Sequence, residues 1–209
     1  MISQYFSKIV SKIKLPYINS YKAKSSPNLN IPLRTVCSEK GFIFIHIPKN
    51  AGTSIAKSLE ITKSTHHTSR EIQQILGSDD FAKLFKFAFV RNPWDRFLSL
   101  YNYARLEESH YHSAINPEKS LYGKHLDYDL LKNASLKECA NFLIEGKLKH
   151  EQRNWNHWTP QYTWITDEKG NMLVDFLGKV ENIEQDFNYI SNKLGLDSNL
   201  EFCNFSKNK

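Results

Sequence analysis

The sequence predicts an α/β protein with a mainly parallel central sheet flanked by helices. Two apolar runs carry this expectation, Gly41 to Ile47 (GFIFIHI) and Phe85 to Val90 (FKFAFV). Short β-branched and aromatic runs without alternation belong to strands buried on both faces. Each run leads through a short loop into a helical pattern, and such strand–helix alternation closes into a parallel sheet wrapped by helices. A chain of 209 residues buries one such core and is short for two.

The elements follow in order. Met1 to Leu15 sets Ile2, Tyr5, Phe6, Ile9, Val10 and Ile13 at helical spacing, with Lys8, Lys12 and Lys14 between them. It reads as a helix packed on the domain or a tail; the sharper alternative is a basic amphipathic helix making peripheral contact with a membrane. Residues 16–40 hold Pro16, Pro27 and Pro32 and read as an irregular connector. After GFIFIHI come the loop Pro48 to Ser54 and a helix with Ile55, Leu59 and Ala56 inward. A second helix starts near Ser69 as cap, turns Ile72, Ile75 and Leu76 inward, and ends at Gly77. After FKFAFV and Arg91-Asn92, Pro93 opens a helix at its favoured first position and sets Phe97, Leu98, Leu100, Tyr101 and Ala104 along it.

Residues 107–133 are polar and His-rich and read as a long loop or lid. Ser135 caps a helix to Gly146. Tyr162 to Thr166 and Met172 to Phe176 flank Asp167-Glu168-Lys169-Gly170, a hairpin signal. Glu181 to Leu194 is a closing helix, stopped by Gly195. The domain is expected over 41–209, behind an N-terminal segment of residues 1–40.

Lys and Arg exceed Asp and Glu by 28 to 22, a net charge of +6 that suits anionic ligands. The sequence carries neither zinc-finger spacing nor an RNA-reading aromatic motif, so no nucleic-acid partner is expected. Cys37, Cys139 and Cys203 are far apart and read as reduced thiols. No run approaches the roughly 18 apolar residues of a membrane span. These features lead to the expectation of a cytoplasmic chain, with membrane association through residues 1–15 as its variant.

The loop Pro48-Lys49-Asn50-Ala51-Gly52-Thr53-Ser54 carries the first chemistry. A helix start after a buried strand directs backbone N–H groups and the positive end of its dipole at an anion. Gly52 permits close backbone approach, Thr53 and Ser54 add hydroxyls, and Lys49 adds full charge. The arrangement is P-loop-like, in a three-layer fold, but it is not a Walker A motif: no Gly-Lys-Ser/Thr occurs in the chain. A nucleoside triphosphatase and a nucleotide-dependent kinase are disfavoured on that ground.

Phe44 to Ser54 (FIHIPKNAGTS) resembles the 5′-phosphosulfate loop of carbohydrate sulfotransferases that use 3′-phosphoadenosine-5′-phosphosulfate (PAPS). The broad group includes the heparan 2-O-sulfotransferases and their bacterial relatives. Phe89 to Tyr101 (FVRNPWDRFLSLY) resembles the same family's 3′-phosphate site. The resemblance implies that Pro48, Lys49, Asn50, Ala51, Gly52, Thr53 and Ser54 cradle the phosphosulfate, with Lys49 stabilising the departing phosphate. It implies that Arg91 and Ser99, eight residues apart, share the 3′-phosphate. Asp95 and Arg96 read as a surface or structural pair.

Sulfuryl transfer needs a base for the acceptor proton, a task suited to histidine. The resemblance points to His67 as that base, with His66 in reserve. His46 reads as packing under the site. His110, His112 and His125 lack partners at metal-binding spacing, and no metal is expected. On the acceptor side, Gln152 to Tyr162 mixes aromatics, amides and an arginine, suited to a glycan or glycolipid. Arg153, Trp158 and Gln161 are the candidate contacts there, with His66. Pro160-Gln161 and the segment Phe176 to Ile183 also resemble the family, with Lys179 where it often has arginine. The resemblance spans residues 41–196. It implies PAPS as donor and 3′-phosphoadenosine 5′-phosphate (PAP) as product, in an O-sulfotransferase. The alternative is a non-catalytic glycan- or nucleotide-binding module on the same fold.

Overall fold

The two apolar runs form adjacent strands. In this computed structural model, residues 36–37, 41–61, 66–108, 124–148, 157–197 and 199–201 are described. The expected helix over 1–15 lies outside them, as do Arg153, His110 and His112. One sheet has the order β1-β2-β3-β4, with β1 at Val36–Cys37, β2 at Phe42–Ile45, β3 at Phe85–Val90 and β4 at Phe176–Lys179. The strands β2, β3 and β4 are parallel, and β1 pairs antiparallel to β2 at its edge. The expected connector therefore supplies an edge strand, and the sheet begins before Gly41.

The alternation of β2 splits the core into two layers. Phe42 and Phe44 point to one face with Phe87 and Phe89 of β3, under α1 (Gly52–Ser58) and the later closing helix Ile183–Lys193. Ile43, Ile45 and Ile47 point to the other with Ala88, under α2 (Ser69–Leu76) and α3 (Ser78–Lys83), joined by Trp164 and Ile165. The Phe44 and Phe87 rings face each other in register at 5.3 Å. Each buried ring contributes roughly 1.5–3 kcal/mol. At Gly178, opposite Phe89 on β4, an added Cβ would stand 2.6 Å from that ring, so the strand closes there only around glycine.

A third cluster is helical. It joins α4 (Pro93–Ala104), α5 (Tyr128–Leu131) and α6 (Leu136–Ile144) through Leu100, Tyr101, Ala104, Leu131 and Cys139. The chain closes with α7 (Ile183–Lys193) after a short 3₁₀ turn, Val180–Asn182. Burial pushes the Cys139 thiol up to about 12, which removes it as a nucleophile at neutral pH.

Three expectations are corrected. The cap of α2 is Thr68, not Ser69: Thr68 Oγ1 accepts from the Glu71 N–H, and Glu71 accepts from the Thr68 N–H. The segment Gln161–Trp164 is a 3₁₀ helix rather than a hairpin arm. Trp164 and Ile165 are both buried, which an alternating strand forbids, and the Thr163 and Thr166 hydroxyls bond back to Pro160 and Tyr162 carbonyls. The turn at 167–170 remains, held by Asp167 and bridged from Thr166 to Met172. Residues 124–133, expected within a long loop, include α5 and the buried His125 and Asp127. Among the described residues no helix is long and apolar enough to cross a membrane.

Candidate active site

Parallel pairing of β2 with β3, Ile45 opposite Ala88, sends the following loops out at one edge of the sheet. Ligands of open α/β sheets bind at such carboxyl ends. In the first loop Lys49 and Ala51 adopt positive φ, 68° and 59°. Neither is glycine, so each conformation costs on the order of 1 kcal/mol and persists because the surroundings impose it. Ala51 caps α1 with no side-chain hydrogen bond. Pro48 and Asn50 are buried, Lys49 half-buried, Thr53 exposed, and Ser54 buried.

Gly52 also makes room for a side chain packed beneath the loop. A Cβ there would lie 2.0 Å from His46 Nε2, so the missing side chain makes room for the His46 imidazole beneath the loop. His46 also stacks on Phe44, with ring centroids 5.6 Å apart. Burial, and then the neighbouring His66 and His157, hold its pKa well below the usual imidazole range.

Helix α4 presents Arg96, Ser99 and Tyr103 along one stripe, following the i, i+3, i+7 spacing. Both ends of that stripe touch the first loop. Arg96 Nε donates to the Pro48 carbonyl at 3.0 Å, and Lys49 Nζ lies 4.1 Å from the Tyr103 ring centroid. Ser99, half-buried, sits between them. Arg96 is not the expected surface or structural pair with Asp95. It is buried, and its guanidinium also donates to the carbonyls of Thr159 (3.1 Å) and His157 (2.8 Å). Burial lowers its pKa to about 10, which leaves it charged at neutral pH. A planar fork of five donors serves three carbonyls at once, which a lysine ammonium does not match.

The two loops are tied directly. Asn50 Nδ2 donates to the Phe89 carbonyl at 2.8 Å and to Gln161 Oε1 at 2.7 Å. Gln161 Oε1 also accepts from the Arg91 N–H at 2.9 Å, and Gln161 Nε2 donates to the Arg91 carbonyl at 2.7 Å. Arg91 itself is half-buried. The next residue, Asn92, accepts from the Trp94 N–H at 2.9 Å to start α4, and its own N–H donates to Glu181.

Histidines line the floor. The His66 ring lies 4.2 Å from that of His46 and 6.3 Å from that of His157. His66 Nδ1 stands 2.9 Å from the His46 carbonyl. A carbonyl only accepts, so Nδ1 carries the hydrogen and the neutral ring presents its lone pair at Nε2. His67 Nδ1 lies 4.0 Å from Glu71 Oε2. Burial lowers the His67 pKa, and the Glu71 carboxylate opposes that shift.

Trp158, expected to face an acceptor, is instead a core residue: 6% exposed, with Nε1 donating to Asp127 Oδ2 at 2.9 Å. The Gln161 amide, expected there too, is engaged with the two loops. Arg96, Glu181 and the tethering role of Gln161 were missed in the sequence. Arg96 carried a signal, since it lies seven residues before Tyr103 on the α4 stripe that bears Ser99. Glu181 and Gln161 lie in segments that resemble the family, but no pattern in the sequence marks the backbone groups across the fold that they reach. Among the described residues, no cluster of His, Cys, Asp or Glu is arranged to hold a metal ion.

Fold and site together define an α/β protein with a strand–loop–helix turn at residues 48–54 and a second strand tip, bearing Arg91, beside it. The chain belongs to the sulfotransferase family, whose profile matches residues 34–209. Similar curated proteins include carbohydrate sulfotransferase 11 of Danio rerio, 27% identical over 128 residues, and that of Rattus norvegicus, 26% identical over 133 residues. Each alignment covers 58% of this chain and 36% of the relative, so the chain matches about a third of those proteins. No solved structure matches the chain.

Proposed function

We propose that the chain transfers a sulfuryl group from PAPS to a hydroxyl of a carbohydrate, whether polysaccharide, oligosaccharide or glycolipid. The observation that carries this reading is the Gln161 amide bonded at once to Asn50 and to the Arg91 backbone. It sets the loop 48–54 beside the strand tip that bears Arg91, which suits a nucleotide with phosphate at both ends. The family and the similarity to carbohydrate sulfotransferase 11 support both the transfer and a carbohydrate acceptor.

In this reading the loop 48–54 holds the 5′-phosphosulfate, and Arg91 with Ser99 holds the 3′-phosphate. The acceptor oxygen attacks sulfur while the bond from sulfur to the bridging phosphate oxygen breaks. PAP departs with that electron pair, stabilised by Lys49, and the hydroxyl proton passes to His67. Glu71 favours the protonated form of His67 that results. A second reading takes His66 as the base, because its bond to the His46 carbonyl leaves Nε2 as the proton acceptor.

Calorimetry with PAP, followed by labelled PAPS against a panel of oligosaccharides and glycolipids, tests the proposal. Lys49→Ala and Arg91→Ala should each weaken PAP about tenfold or more, as expected for lost charge-assisted hydrogen bonds. His67→Ala should keep PAP affinity and lower turnover by about 10²–10⁴-fold. Full activity in His67→Ala with loss in His66→Ala moves the base to His66. Wild-type protein that binds glycans and ignores PAP points instead to a non-catalytic module.

A further inference from the structure

We infer that Gln161 is a positioning residue that sets the distance between the two phosphate grips, an inference that rests on the PAPS reading above. The amide reaches the first loop through Asn50 and the second through both backbone groups of Arg91. Two bonds to one residue, one from its N–H and one to its carbonyl, fix the orientation of the carboxamide as well as its position. The tie uses the Arg91 backbone, so the guanidinium takes no part in it. The crosspiece is itself anchored: Trp164 and Ile165, just beyond it, are buried in the sheet, and Arg96 holds the Thr159 carbonyl just before it.

A ligand with phosphates at both ends gains from its second grip in proportion to the effective concentration that geometry provides. If Gln161 holds the grips at one spacing, removing its hydrogen bonds lowers that second gain and leaves each single grip intact. Gln161 therefore controls how much better PAP binds than adenosine 5′-phosphate or adenosine 3′-phosphate. A residue that merely stabilises the fold would weaken all three nucleotides alike.

Titrate the three nucleotides into wild type, Gln161→Met, which keeps the side-chain length, and Gln161→Glu, which keeps the acceptors and loses the donor to Arg91. In Gln161→Met, PAP should weaken about tenfold or more while each monophosphate changes less than about twofold. Gln161→Glu should fall between, and it carries the comparison if the Met variant does not fold. A uniform loss across all three nucleotides overturns the inference. So does a PAP advantage left unchanged in the variants when the wild type binds PAP, and this result leaves the donor reading standing. A wild type that ignores PAP overturns the donor reading, and this inference with it.

Discussion

At Gly52 the loop and its floor compete for one volume, since a Cβ there would meet His46 Nε2 at 2.0 Å. Gly52→Ala must displace a ring that is itself stacked on Phe44. We expect it to destabilise the protein by about 2 kcal/mol, in the range for overpacked cores, as read by urea denaturation. In the double variant with His46→Ala, the two losses should sum to less than their separate values, because they share one contact. His46 also links stability to pH. Its native pKa is depressed, so the unfolded chain takes up the proton first as pH falls through about 6.5. Its contribution is complete above that pH and declines below it. Denaturation at about pH 7.5 and about pH 5.5 should show lower stability in acid, with a smaller difference in His46→Gln.

Elements were read from the sequence where local chemistry decides them. Pro93 starts α4 and Ser135 caps α6 through Glu138, both as expected. The start of α2 carried an equally local signal, Thr68-Ser69-Arg70-Glu71, which is a capping box one residue earlier than the expected cap. Because this box follows directly on His67 and uses the Glu71 that faces it, the cap and the proposed base are mechanically joined. Thr68→Ala should cost about 1 kcal/mol in thermal or chemical denaturation. It should also reduce turnover without altering PAP affinity. The 3₁₀ helix at Gln161–Trp164 was misread because its aromatic spacing imitates a strand. Its conformation is decided by packing of Trp164 and Ile165 on the sheet, which short-range pattern does not encode.

Across the whole molecule, Arg96 joins three stretches of chain: the first loop at Pro48, the helix α4 that carries it, and residues 157–159. Replacing it with methionine would leave three carbonyls without this donor, two of these bonds being buried. We expect Arg96→Met to destabilise the fold by about 3 kcal/mol, with Arg96→Lys between it and wild type, by urea denaturation.

The sequence alone determined the two buried strands and the loop–helix that follows each. Those features rest on contacts between near neighbours in the chain, and hydrophobic period, glycine and proline placement and caps encode such contacts directly. Only the tertiary structure decided that Trp158 belongs to the core, that Arg96 is a buried clamp, and that Gln161 and Glu181 hold the Arg91–Asn92 turn. Those roles depend on hydrogen bonds to backbone groups distant in sequence, as between Gln161 and Arg91 or Glu181 and Asn92. A backbone carbonyl or N–H looks the same in every residue, so no local pattern marks which one a distant side chain will reach.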